Sequence, residues 1–285
     1  MPAVMSTALF PSEMLRQDAL PRLIALGRPL VMGILNITPD SFSDGGRFLN
    51  PEIALDHARR MIADGADVLD VGAESTRPYG AVPVSAEDEL ARLEPMVPRL
   101  AELVVPFSID TMKARVAARA IGSGAAIVND VWGLQRDPDM ARVVAEHKVG
   151  VVIMHNRDSI DPSLDIMADI AAFFARSLEI ADRAGIARER IVLDPGIGFG
   201  KTPAQSLAAI TRLAMLKGFG LPLLVGASRK RFITAVGPSQ PEDRLGGSIA
   251  AHLIAVLNGA TLIRAHDVAE TVQALRIAAA IRDAG

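Results

Sequence analysis

Asp110, Asn129, Asp194 and Lys230 are groups that could grip the edge of a flat heterocycle, and the first three each follow directly on a short apolar run. A carboxylate can accept two N–H groups from an aminopyrimidinone edge, an Asn can give and take, and a Lys can donate to a ring oxygen or nitrogen. Phe199 and Ile127 offer an apolar shelf beside them. A second set reads as an anion site: Arg264 and His266 in IRAHDV, before a helical segment, with Asn36 at the end of the first apolar run. Helix N-termini and the loops before them are frequent phosphate sites. Asn36 could also help hold a hydrated Mg2+ bridged by phosphates, because that ion prefers oxygen ligands and retains waters.

Each residue has a plainer reading. Asp110 stands where a helix begins and could be an N-cap; Asn129 and Asp130 share that ambiguity; Asp194 precedes a proline, which stops immediate helix continuation. Arg264 could be a surface ion-pair partner and His266 a structural histidine. Several polar groups at strand ends facing one cavity are harder to explain that way, since buried polar groups need partners and a ligand can supply them. GIGFGK (196 to 201) lacks the spacing of a phosphate-binding or dinucleotide loop. ASRKRF (227 to 232) reads as a solvated basic turn at Arg231 but not at all three cations. His57, His147, His155 and His252 read as structural. No Ser-His-Asp or Cys-His arrangement is evident, so positioning and stabilisation of a departing anion are the chemistry to expect.

The elements that must position these residues are eight apolar runs: 30 to 35, 67 to 71, 105 to 109, 126 to 128, 149 to 154, 190 to 193, 221 to 225 and 261 to 263. Nearly every one ends in a polar cluster, including Glu74 after the second and Ser228 after the seventh. Helical segments lie between them. In NPEIALDHARRMIADG, Asn50 can cap, Pro51 suits the first helical position, Leu55, Ala58, Met61 and Ile62 form one stripe, and Gly65 ends the helix. Ser85 with Asp88 is a capping signature, and residues 112 to 124 read as another helix that stops at glycine. Strand and helix in alternation predict an α/β fold with a parallel sheet. A closed parallel barrel brings all strand C-termini to one face, so the expectation is a single (β/α)8 TIM barrel over 28–285, with an N-terminal extension over 1–27. Whether that extension forms a helix over the barrel bottom is left open by its sequence. Two long polar connections, 38 to 48 and 75 to 84, read as lids.

With 285 residues, 50% of them hydrophobic and 22% charged, the chain can bury a large core, and a mean hydropathy of +0.28 agrees with buried parallel strands. A net charge of -3 and a pI near 6.0 argue against general affinity for nucleic acid or anionic membranes. The absence of cysteine excludes disulfides and thiolate chemistry and is compatible with the cytoplasm. No export signal is visible, and the most apolar stretch, 248 to 263, is short for a membrane span.

Taken in order, GILNITPDSFSDGG, GADVLDVGAESTRP, FSIDTMK, IVNDVWG, LDPGIGFGKT, ASRKRF and RAHDV resemble the blocks of the dihydropteroate synthase family over about residues 30 to 282. The resemblance implies a sulfonamide-target transferase of folate biosynthesis that joins 6-hydroxymethyl-7,8-dihydropterin pyrophosphate to p-aminobenzoate with Mg2+. It implies that Asp110, Asn129, Asp194 and Lys230 hold the pterin, and that Asn36, Thr76, Arg264 and His266 hold pyrophosphate. Arg77, Phe199, Lys201 and Ser228 or its neighbours would shape the p-aminobenzoate side. It further implies an SN1-like order in which Asp110 stabilises a pterin cation, and a homodimer packed through outer helices of the C-terminal half. The chain departs from the family pattern at Ala73, Tyr79, Asn156 and Arg231. A pterin-binding methyltransferase barrel and a non-catalytic pterin-binding homologue are the alternatives. On this reading the pterin and anion subsites separate: Arg264→Ala should lose the pyrophosphate response and keep pterin affinity.

Overall fold

A computed structural model of the chain describes residues 16–37, 51–74 and 84–284. Its eight strands are all parallel: β1 Leu30–Asn36, β2 Val68–Gly72, β3 Phe107–Asp110, β4 Ile127–Asp130, β5 Gly150–Met154, β6 Ile191–Asp194, β7 Leu224–Val225 and β8 Leu262–Ala265. They follow the order β6-β5-β4-β3-β2-β1-β8-β7, and a bridge between Leu193 and Leu223 brings β6 against the segment leading into β7. The predicted barrel is therefore present, and each strand falls on one of the eight apolar runs.

Helices fill the connections: α1 Ala19–Ile24, α2 Pro51–Ala63, α3 Ala86–Leu93, α4 Val97–Leu100, α5 Ala114–Gly122, α6 Met140–His147, α7 Ile166–Ala184, α8 Pro203–Thr211, α9 Arg231–Val236, α10 Leu245–Leu257 and α11 Val268–Asp283. Their ends follow local chemistry. Ser85 accepts the Asp88 N–H at 3.0 Å and starts α3. Thr202 and Gln205 form a reciprocal capping box that starts α8, with Pro203 at its first position. On α2 the stripe Leu55, Ala58 and Met61 is buried, with Ile62 at its margin.

Strand side chains alternate between the helix layer and the barrel interior. Val31, Leu69, Val128, Val151, Leu193 and Ile263 face the helices. Met32, Val68, Ile127, Val152, Val192, Leu224 and Leu262 form an apolar interior layer at the N-terminal end, closed from below by Ala19, Leu20 and Leu23 of α1. A short helix does cover the barrel bottom, and each fully buried leucine there contributes about 1.5–3 kcal/mol. Two residues further along the same inward face, the chemistry changes: Val68 gives way to Asp70, Ile127 to Asn129, Val192 to Asp194 and Leu262 to Arg264. A dry plug below therefore supports a polar mouth above. Ile127 lies in the plug, so it is not part of a ligand shelf.

Candidate active site

The centre of the polar mouth is an ion cluster built on three strands. Arg264 at the end of β8 directs its guanidinium to Asp70 on β2 and to Asp110 on β3, the latter at 2.8 Å. Asp70 is fully buried and also accepts from Ser108 Oγ and, at 3.0 Å, from Asn129 Nδ2. This donor fixes the Asn129 amide with Oδ1 on the other side. Asn129 Oδ1 and Asp110 Oδ1 are both buried without a partner. Two orphaned acceptors side by side, on strands whose Asp110 and Asn129 are in register, are what a ligand edge with two N–H donors would satisfy. Burial first, then the Asp70 charge, pushes Asp110 up to about 8, while Arg264 pulls it down.

Asp70 was hidden within the DVLDV run, where it reads as a break in an apolar strand. The period-2 pattern puts it on the same inward face as Val68, and this could have exposed it.

Asn129 and Asp130 illustrate how the pleat divides neighbours. Asp130 accepts the Trp132 N–H at 2.9 Å and the Leu134 N–H at 2.7 Å, closing the turn after β4. It is a turn anchor outside the site, and burial pushes it up to about 6. Asp130→Ala should lower stability by about 2 kcal/mol by leaving two N–H groups unpaired. Chemical denaturation of the variant against the parent checks this.

The third carboxylate, Asp194 at the end of β6, is buried and accepts the Gly196 N–H at 2.7 Å. Burial raises it, while Lys230, the Gly196 N–H and Lys201 draw it down. Lys230 is half-buried, donates to the Ile197 carbonyl and lies 4.6 Å from the centre of the Phe199 ring. Burial pulls it down to about 8 against the attraction of Asp194. Phe199 joins Val131 and Met154, with Met112 and Trp132 alongside, in a small apolar cluster at the mouth. This cluster, and not Ile127, is the apolar surface beside Lys230.

Ser228 and His266 stand together, with 2.9 Å between Ser228 Oγ and His266 Nδ1, and the His266 N–H also meets Ser228 Oγ. Ser228 therefore links the basic turn that carries Lys230 to His266 after β8. Arg229, in the left-handed region at φ 56°, turns away to Asp267 and to Ser248. Arg231 is exposed, as its position in the basic turn predicted. Asn36 ends β1 beside β8, where Gly33 pairs with Ala265.

One expectation changes. Lys201 does not present its ammonium to a ligand: it is buried, 2.7 Å from His155 Nδ1, 2.9 Å from the Gly196 carbonyl and 3.0 Å from that of Phe199. Glu74 is engaged by Lys113, which also holds buried Glu89 at 2.7 Å, and accepts the Val84 N–H at 3.0 Å. It ties the segment after β2 to Val84, just before α3. Thr76 and Arg77, with most of both predicted lids, lie outside the described residues. Among the described residues no group of three or more His, Cys, Asp or Glu side chains is arranged to hold a metal.

A (β/α)8 barrel whose mouth combines donor-hungry carboxyl and carboxamide oxygens with an arginine and histidine defines an enzyme for a nitrogen heterocycle bearing an anionic group. Residues 32–266 match the family described as pterin binding enzyme. The chain is 45% identical over 259 residues to the dihydropteroate synthase of Bacillus subtilis, covering 90% of each. A crystal structure of the dihydropteroate synthase from Clostridium difficile in the presence of pteroic acid superposes with a TM-score of 0.86 at 47% identity, covering 89% of this chain and 97% of that one. The Xanthomonas albilineans dihydropteroate synthase with 4-aminobenzoic acid gives 0.86 at 44%, covering 90% and 94%. The chain belongs to the pterin-binding enzymes, and among them to the dihydropteroate synthases. It is a transferase of folate biosynthesis.

Proposed function

We propose that the barrel mouth holds the dihydropterin on Asp110, Asn129, Asp194 and Lys230, its pyrophosphate on Arg264, His266 and Asn36 with Thr76, and p-aminobenzoate on the Phe199, Ser228 and Arg77 side. The carrying observation is the pair of orphaned acceptors, Asp110 Oδ1 and Asn129 Oδ1, beside a guanidinium. Such a pair suits the N–H edge of a pterin, and the relatives crystallised with pteroic acid and 4-aminobenzoic acid have this fold at high identity.

In the reaction, the bond between the exocyclic methylene carbon and the pyrophosphate oxygen breaks, its electron pair leaving with the anion. The ring nitrogens delocalise the positive charge left on carbon. Asp110 faces this moment as a carboxylate: its negative charge stabilises the developing cation more than the neutral ground state, so stabilisation grows toward the transition state. Arg264 and His266 face the charge on the departing oxygen. The amine lone pair of p-aminobenzoate then forms the C–N bond and the surplus proton passes to water.

Asn36 suits Mg2+ carried on the diphosphate, since an ion that keeps several waters and takes phosphate oxygens needs little more from the protein than one amide oxygen. When bound, the ion neutralises charge on the leaving group.

A homodimer and a cytoplasmic location complete the proposal. Ile254 and Leu257 on α10 and Ile277 and Ile281 on the adjoining α11 are exposed, an apolar stretch of the outer layer suited to a second copy. No described helix is long and apolar enough to cross a membrane.

Purified protein given dihydropterin pyrophosphate and Mg2+ should release pyrophosphate with p-aminobenzoate present and form dihydropteroate, identified by mass. Positional exchange of oxygen in unreacted substrate without the amine is the expected sign that the C–O bond breaks first. Its absence, together with no release before amine addition, would replace the stepwise order by a direct displacement.

A further inference from the structure

The loop from Pro195 to Gly200 is held from two sides by two lysines. Lys230 takes the Ile197 carbonyl, and Lys201 takes those of Gly196 and Phe199. The loop is also pressed against the end of β5: a Cβ on Gly196 would overlap the His155 carbonyl, and one on Gly200 would overlap Arg157, both positions having left-handed φ. Its tip is Phe199, whose ring faces Lys230 at 4.6 Å.

Lys201 has three ammonium protons and three acceptors: the two carbonyls and His155 Nδ1. Acceptance at Nδ1 requires the proton of neutral His155 to sit on Nε2, and Nε2 stands 3.0 Å from Asp169 Oδ2 on α7. Arg157 holds the same carboxylate oxygen at 2.8 Å. A continuous polar chain thus runs from the outer helix through the barrel wall to the loop that carries Phe199.

We propose that Lys201 is a positioning residue, a buried ammonium strut braced by His155 and Asp169 that sets Phe199 and thereby the side of the mouth where the arylamine docks. The assignment of that side to p-aminobenzoate rests on the function proposed above; the strut itself does not. Its chemistry gives it a signature. Burial pulls Lys201 down to about 7, with Lys230 and Arg157 acting in the same direction and Asp194 and Asp169 opposing. His155 is pulled down to about 3 by burial and by the Lys201 charge, so it stays neutral and does not compete for the role. Below neutrality the ammonium serves all three acceptors. Above it, the amine has two protons and a lone pair, one acceptor loses its donor, and the loop is released.

Trp132, the only tryptophan in the chain, packs against the cluster containing Phe199 and reports on the loop without any substrate. Its fluorescence should change with a midpoint near neutral pH in the parent protein. Lys201→Arg, which cannot deprotonate, should remove that step, and Lys201→Met should remove it and show the high-pH signal throughout. Asp130 titrates beside Trp132 in all these proteins and cancels in the difference. Asp169→Asn, a change on a partly exposed residue that leaves the core intact, should move the step to lower pH, because the carboxylate raises Lys201. This variant decides the matter if Lys201→Met does not fold.

In steady-state kinetics Lys201→Met should raise KM for p-aminobenzoate by about tenfold while KM for the dihydropterin substrate stays within about twofold. An unchanged fluorescence titration in Lys201→Met overturns the strut. Loss of the step with an unaltered p-aminobenzoate KM overturns its link to the arylamine side, as do equal rises for both substrates. Should the protein make no dihydropteroate, the functional reading fails, and the fluorescence titration alone still decides the strut.

Discussion

Arg264→Ala is expected to abolish most turnover and to weaken pterin binding as well as the pyrophosphate response. The sequence alone suggested two separable subsites, with Arg264 on the anion side only. The structure joins the residues assigned to them: the same guanidinium reaches Asp70 and Asp110, and Asp110 stands in register with Asn129, its partner in the proposed pterin edge. In the proposed arrangement truncation removes the charge that faces the leaving group, which for a single oxyanion-type donor costs about 10²–10³ in rate. It also leaves two buried carboxylates facing each other. Breaking a buried ion pair from one side costs about 3–5 kcal/mol in stability where no adjustment is open. Here one is open, because Asp110 is already pushed up to about 8 and, without Arg264, binds its proton more firmly still. The sign follows: a carboxyl whose native pKa lies above its unfolded value makes the fold less stable as pH rises through the interval between them. The variant should therefore be close to the parent in stability at mildly acidic pH and fall behind it at alkaline pH. Pterin titration by calorimetry with and without pyrophosphate, together with thermal melts at several pH values, checks all three statements. Full pterin affinity in the variant would restore the separate subsites.

What the sequence made legible, and what it did not, has one physical root. Strand ends were visible because buried parallel strands are continuous apolar runs, and all eight were located within a few residues. Asp110, Asn129, Asp194 and Arg264 were visible because they interrupt those runs at the end that a barrel gathers. Asp70 was not, since it lies one pleat repeat below the end. Asp130 and Asn129 are neighbours in sequence with opposite fates because the pleat sends one outward to a turn and the other inward. Ile127 shows the reverse error: it shares Asn129's face but sits a layer lower, on the dry plug. Lys201 is the hardest case. Its partner His155 is 46 residues away and its other acceptors are carbonyls, which no side-chain pattern records.

Asp194→Ala should weaken pterin binding by about 2–5 kcal/mol, and the structure says why the loss should exceed that of one contact. Asp194 is buried, anchors the Gly196 N–H at 2.7 Å and supplies the negative charge that opposes the burial of Lys230. Removing it takes an acceptor from the ligand, leaves the loop N–H unpaired, and lets Lys230 fall below about 8. The first effect lowers affinity at every pH. The last makes the deficit grow as pH rises, because Lys230 then loses its proton and its ability to donate to the ring earlier than in the parent protein. Asp194→Asn separates the parts: its amide oxygen can keep the Gly196 N–H, while the charge and one acceptor site are lost. Calorimetric pterin affinity should therefore show Asn stronger than Ala at every pH, because the loop remains anchored. Both should fall further behind the parent as pH rises, because neither carries the charge that holds the proton on Lys230. Near-parental affinity for the alanine variant would take Asp194 out of the pocket and leave it as the anchor of its own loop.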